Sequence, residues 1–141
     1  MIIEESVLIN ADIKTIWKTC TDLTCWADWT SVTTNAASGS GHLEEGEKFT
    51  FCLRPFDLSI TVEPKIEEVV PHEKVVWSGA RFGISSRHEF LFQQDANGVL
   101  VTSRETFRGV QLLLARRTFP RKTIRELTIN MLQDLKRAAE K

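Results

Sequence analysis

Along the second half of the chain, large apolar side chains alternate with polar ones, and the alternation resolves into antiparallel hairpins. In Ser86–Arg108, SRHEFLFQQDANGVLVTSRETFR, two alternating runs flank Asp95-Ala96-Asn97-Gly98, residue types that tolerate positive φ or bond their own backbone. A turn centred between Ala96 and Asn97 pairs Phe92 with Val101, Phe90 with Ser103 and His88 with Glu105, and a period of two puts all six on one face. A turn around Pro55-Phe56-Asp57 pairs Leu53 with Leu58, Phe51 with Ile60 and Phe49 with Val62. One at Pro71-His72 pairs Ile66 with Trp77, and one through Gly79 to Gly83 sets Trp77 opposite Ile84. Each register gathers the bulky apolar residues on one side, while Lys48, Thr50, Arg54, Ser59, Thr61, Glu63, Lys65, Glu67, Arg87, Glu89, Thr102 and Arg104 fall on the other. The expected sheet has a wet face and a dry one. Pro64 cannot donate to a ladder, so a bulge or bend is expected midway along Leu58–Val69.

The dry face needs a cover, and the pattern changes period to supply one. From Arg121 to Ala139 the positions Ile124, Leu127, Met131, Leu135 and Ala138 recur at steps of three and four among charged residues, an amphipathic helix of about five turns. Pro120 either starts this helix or kinks a longer one beginning near Val110. Near the start, Asn10 or Asp12 can cap a helix holding Ile13, Ile16 and Trp17, and Asp22 one holding Trp26 and Trp29.

Composition narrows the class of partner. The chain has 141 residues, 18 basic and 19 acidic, with a net charge of −1. This size fits one compact domain over residues 1–141, and the charge balance makes no case for nucleic acid. The N-terminus shows no basic leader before an apolar run and nothing approaches the length of a membrane span, so a cytoplasmic protein without stable membrane insertion is expected. Cys20, Cys25 and Cys52 are odd in number and lack CxxC spacing, which points to free thiols. The polar stretch Thr33–Gly41 is short enough for a surface loop.

Several short motifs, weak singly, occur in a specific order: Ile9-Asn10-Ala11-Asp12 with Ile16-Trp17; Asp22 with Trp26 and Trp29; Gly46-Glu47-Lys48-Phe49; Pro71 leading to Val76-Trp77-Ser78-Gly79; His88-Glu89-Phe90; and Glu105-Thr106-Phe107-Arg108-Gly109. In that order the chain resembles the START-like, or helix-grip (SRPBCC), superfamily over essentially its whole length, within it the polyketide cyclase/dehydrase-like branch. The resemblance implies an α+β fold in which a seven-stranded, mainly antiparallel sheet curls around a long C-terminal helix, with two short helices after the first strand. It also implies a hydrophobic ligand held between sheet and helix, such as a lipid, quinone or polyketide-like molecule.

The inward face supplies the candidate chemistry. Trp29, Phe51, Ile60, Trp77, Phe90, Ser103, Glu105, Phe107, Leu113, Phe119 and Met131 are the candidate ligand contacts. His88 and Glu105 are the only candidates for acid/base catalysis, and equally form a self-satisfied polar pair in a greasy interior. Ser103 faces inward, but Phe90 rather than a base lies opposite it, so no nucleophile is expected. One His and one Glu are too few inward ligands for a metal site, and no cofactor motif occurs. The basic run Arg116, Arg117, Arg121, Lys122 and Arg125 reads as a solvated helix face or as a contact to an acidic head group or anionic membrane. Three functions remain open: a carrier of a hydrophobic small molecule, a cofactor-free polyketide cyclase/dehydratase using His88 and Glu105, and a co-chaperone-like interaction domain. The sequence leaves oligomeric state open.

Overall fold

The computed structural model describes residues 1–53, 60–81 and 83–141, excepting the side chain of Ile60. Strand β1 (Ile2–Ile9) leads into helix α1 (Ile13–Thr21), a 3-10 turn over Leu23–Cys25 and helix α2 (Trp26–Trp29). Strands β2 (Thr33–Ser38), β3 (Phe49–Leu53), β4 (Ile60–Val62), β5 (Lys65–Val70), β6 (Lys74–Arg81), β7 (Ile84–Asp95) and β8 (Gly98–Arg108) follow, then α3 (Val110–Leu114) and α4 (Arg121–Ala139). The strands form an antiparallel sheet ordered β1-β8-β7-β6-β5 and a smaller one ordered β2-β3-β4. This is the expected helix-grip architecture.

Local chemistry explains the boundaries. Asp12 accepts from the Lys14 N–H at 2.7 Å to start α1, and Asp22 accepts from the Thr24 N–H at 3.0 Å to start the 3-10 turn, satisfying N–H groups that have no partner within a first turn. Pro120 stands just before α4, so it starts that helix; α3 is a separate short one. Gly109 opens α3 at φ 131°, and a Cβ there would lie 2.2 Å from the Gly83 oxygen. Only glycine lets the chain leave β8 so close to the β6–β7 connection.

Pro64 has a larger effect than a bulge. It ends the pairing of β4 with β3, and the chain crosses into the larger sheet as β5, so the expected long segment becomes two strands and the described residues hold eight in all. The Pro64 carbonyl still accepts from the Phe49 N–H at 3.1 Å, and the Ile66 N–H donates to the Glu47 carbonyl at 2.8 Å, which stitches the sheets together at a corner.

The β7–β8 register and the Ile66–Trp77 pair are as expected, the latter across a bulge between Ile66 and Glu68. Two other registers are corrected. Phe51 pairs with Val62 and Leu53 with Ile60, a slip of two residues that preserves the inward face; Leu58 and the Pro55-Phe56-Asp57 turn lie outside the described residues. Trp77 pairs with His88, while Ile84 pairs with Arg81, because the chain reverses at the very end of β6 rather than through Gly79. Thr33–Ser38 is also a strand, not a surface loop. Asn35 sits there at φ 56° beside a register shift, a conformation Asn tolerates.

The main core lies between the larger sheet and α1, α2 and α4, around Ile16, Trp26, Phe49, Trp77, Phe90, Val101, Met131 and Leu135. A smaller cluster of Ile3, Phe107 and Leu112 sits at the other end, with Ile84, Phe119 and Ile124 against it. α4 buries the expected Met131 and Leu135, and also Thr128, Leu132 and Asp134, so its covered stripe is wider than the apolar pattern alone.

Candidate functional site

Between the two clusters the sheet and α4 enclose a cavity of about 550 Å³, within the size range of small-molecule sites. Trp26, Phe51, Leu53, Val62, Trp77, Phe90, Phe107, Leu127 and Met131 make most of its wall. At its deep end lie Trp26, Val32 and Thr33; exposed Thr61, Glu63, Ala80 and Arg81, with half-buried Phe119 and Ile124, line the other end. The buried lining residues mark its closed end, and the exposed ones, at the tips of β4 and β6, mark its mouth.

One polar group of three stands on the floor of the cavity. His88 and Ser103 are diagonal neighbours on β7 and β8, and His88 Nε2 lies 2.6 Å from Ser103 Oγ. His88 Nδ1 lies 3.8 Å from Glu105 Oε2. Adjacent aromatic rings set the electrostatics: Trp77 and Phe90 stand with ring centroids 4.8 and 4.7 Å from the His88 ring. Burial among them pushes the His88 imidazole down to about 3 and the Glu105 carboxyl up to about 7, since a low-dielectric site disfavours the charged form of each. Between about pH 3 and 7 the trio is uncharged: a hydroxyl, an imidazole and a carboxylic acid that together both donate and accept.

The expectation that Ser103 has no base beside it is corrected. The register does put Phe90 directly opposite, but the imidazole of His88 reaches diagonally to the hydroxyl. Serine, histidine and carboxylate in a row resemble an activated nucleophile. Acyl transfer also needs donors for the oxyanion, and Ser103 lies on an interior strand, paired with Glu5 on one side and Phe90 on the other. Its backbone is engaged in the sheet, which suits the serine to hydrogen-bonding a ligand oxygen rather than attacking a carbonyl.

A fourth polar point lies on the opposite wall. Thr33 is 4% exposed and lines the cavity, and its hydroxyl has no hydrogen-bond partner. A buried hydroxyl left unpaired is costly. No sequence signal marked Thr33, because the irregularity at Asn35 breaks the alternation of β2.

Of the expected contacts, Phe51, Trp77, Phe90, Ser103, Glu105, Phe107, Phe119 and Met131 line the cavity together with His88. Ile60 heads β4, and its side chain is outside the described residues. Two expectations are corrected. Trp29 packs edge-on against Trp26, centroids 5.9 Å apart, behind the wall; Trp26 lines the cavity in its place, with its indole N–H donating to the Cys20 carbonyl at 2.9 Å. Leu113 points to solvent at 70% exposure, because Leu112 takes the inward position of α3.

Solved structures with the same fold include KanY, at 19% identity and a TM-score of 0.78 over 100% of this chain and 98% of that one. A hypothetical protein of Helicobacter pylori gives 16% identity and a TM-score of 0.79 over 99% and 88%. The di-domain ARO/CYC protein StfQ from the steffimycin biosynthetic pathway gives 13% and 0.79, with 99% of this chain covering 51% of that one. At these identities the likeness concerns the fold. No curated protein matches the chain significantly. The pattern that describes polyketide cyclases/dehydrases and lipid transport proteins matches residues 1–140, from the first strand through the last turn of α4, and the chain belongs to that family.

Proposed function

We propose that this protein binds a hydrophobic small molecule of polyketide, quinone or lipid type, seating a carbonyl or hydroxyl of the ligand against Ser103, His88 and Glu105. The observation that carries the reading is an apolar cavity whose floor holds one compact, neutral, two-way hydrogen-bonding group. Apolar walls supply affinity, and a few buried polar groups supply orientation. Thr33 on the far wall favours a ligand with a second oxygen at some distance from the first. The family pattern names polyketide cyclases and lipid transport, which puts polyketides in the panel of test ligands beside quinones and fatty acids.

A thermal-shift screen over that panel tests the proposal, since a ligand that binds only the native state raises its stability. Trp77 lines the cavity, so with Trp17, Trp26 and Trp29 replaced by Phe its fluorescence reports entry. Binding of oxygen-bearing ligands should drop in Ser103→Ala and Thr33→Val while plain hydrocarbons are unaffected. Equal losses for both ligand kinds, or no binder among the three classes, would defeat it.

A second reading is favoured by one feature. A carboxyl pushed up to about 7 exchanges its proton near neutrality, as an acid/base catalyst of cyclisation or dehydration requires. Glu105→Gln that abolishes turnover of a bound polyketide while leaving its affinity intact would establish this enzyme reading over carriage.

A further inference from the structure

The three most exposed large apolar side chains among the described residues all belong to α3: Val110 at 71%, Leu113 at 70% and Leu114 at 77%. Their spacing of three and four puts them on one side of the helix. Leu112, 7% exposed, faces the opposite way and anchors the helix on Ile3 and Phe107. The anchoring is therefore independent of the exposed trio. The chain from Arg108 to Arg125 contains no acidic residue; Arg116, Arg117, Arg121 and Lys122 are exposed, while Arg125 pairs with Glu5 at 3.6 Å. With a net charge of −1 for the whole protein, this concentration gives the molecule a positive end on an otherwise acidic body. Phe119, between the two pairs of cations, lies against Phe107 with centroids 5.0 Å apart and lines the cavity mouth.

We propose that Val110–Lys122 docks on an anionic lipid bilayer, with Val110, Leu113 and Leu114 inserted among the acyl chains and the flanking arginines and lysine on the head groups, so that the cavity mouth opens against the membrane. Aliphatic tips flanked by cations match the two layers of a bilayer surface, an apolar interior beneath a negative plane. A second copy of the chain is a poorer occupant: a symmetric contact would set the arginine cluster against itself. No helix among the described residues is long and apolar enough to cross a membrane, so the contact is peripheral and reversible. The inference goes beyond the cavity reading and does not depend on it.

Sedimentation of the ligand-free protein with vesicles tests it. Protein should sediment with vesicles of equal parts phosphatidylcholine and phosphatidylserine, be released by high salt, and ignore pure phosphatidylcholine. Leu113→Ser/Leu114→Ser and Arg116→Ser/Arg117→Ser should each weaken the partition by about tenfold or more, with circular dichroism melting curves unchanged because all four side chains are exposed. Absence of sedimentation, equal binding to both vesicle types, or variants that bind like the parent would overturn the proposal. Capture of an acidic protein by a chain that ignores vesicles would do the same and identify the surface as a protein contact. Vesicle binding with no cavity ligand found would leave this inference standing and count only against the cavity reading.

Discussion

The two ends of the cavity are built on opposite principles. At the closed end several polar groups serve packing, while the Thr33 hydroxyl is left unpaired toward the cavity. Asp134 of α4 is buried and accepts from the Ser31 N–H at 3.2 Å and the Thr30 hydroxyl at 3.3 Å, with Arg137 paired to its other oxygen, which pins α4 to the segment between α2 and β2. The Trp26 indole is 2% exposed and bonded, and Cys20 is sealed so thoroughly that burial pushes its thiol up to about 12, leaving it unreactive at ordinary pH. At the mouth the core shrinks to Ile3, Phe107 and Leu112, and aliphatic residues that could have thickened it face water. The larger cluster of buried residues gathers at the closed end and only a small one holds the mouth, where local opening should cost least.

The comparison breaks first at Trp26. Trp26→Ala removes a fully packed indole and leaves the Cys20 carbonyl without its side-chain donor, and should cost about 3–5 kcal/mol in urea unfolding. A loss below about 1 kcal/mol would mean that the closed end is not the stabilising one.

Midway between the ends, His88 and Glu105 should leave a mark on the pH dependence of stability. The Glu105 pKa is raised from 4.5 to about 7, so its contribution is fully present below pH 4.5 and is lost as pH rises through 7. The His88 pKa is lowered from 6.5 to about 3, so its contribution is present above pH 6.5 and is lost as pH falls toward 3. The slopes oppose between 4.5 and 6.5, giving a plateau flanked by two declines. In Glu105→Gln the plateau should become a rise that continues from pH 3 to 6.5 and then levels off, a difference from the parent that grows by about 3 kcal/mol between pH 4.5 and 7. A parent curve still rising between pH 6.5 and 7.5 would contradict the buried, neutral trio.

Asp134→Ala strands the Ser31 N–H and the Thr30 hydroxyl and should cost about 1–3 kcal/mol. In hydrogen exchange the loosened amides should lie in α2 and β2, leaving α3 untouched; loosening at α3 instead would show the two ends to be coupled.

What the sequence disclosed follows from how far each signal reaches. The β7–β8 register was legible because a tight turn leaves one pairing, and α4 because nineteen residues of period 3.6 begin just after a proline. The partners of Phe51 and Trp77 were not, since a register depends on how many residues the turn consumes, which a glycine or proline marks only loosely. An even slip conserves the face, so the cavity wall was still mostly identified. Trp26 and Trp29 stand three apart on one short helix and have the same chemistry; their tertiary neighbours decide which faces the ligand space. The His88–Ser103 contact is diagonal, and direct cross-strand pairing cannot reveal it. Thr33 stayed hidden because a lone threonine in a polar stretch has no periodic partner.

The smallest expected effect discriminates most finely between the ends. Leu113 and Leu114 are leucines, the residue type whose truncation in a core costs about 2–5 kcal/mol, yet both face solvent. Leu113→Ala and Leu114→Ala should each change unfolding free energy by no more than about 0.5 kcal/mol, whereas Leu112→Ala, one residue away and buried, should fall in the core range. The contrast within one turn of helix isolates burial from composition and from helix propensity, because Leu and Ala are both strong helix formers. Loss of more than about 1 kcal/mol at Leu113 or Leu114 would mean that these side chains pack inward in solution, and that the mouth is closed by the same kind of core that seals the far end.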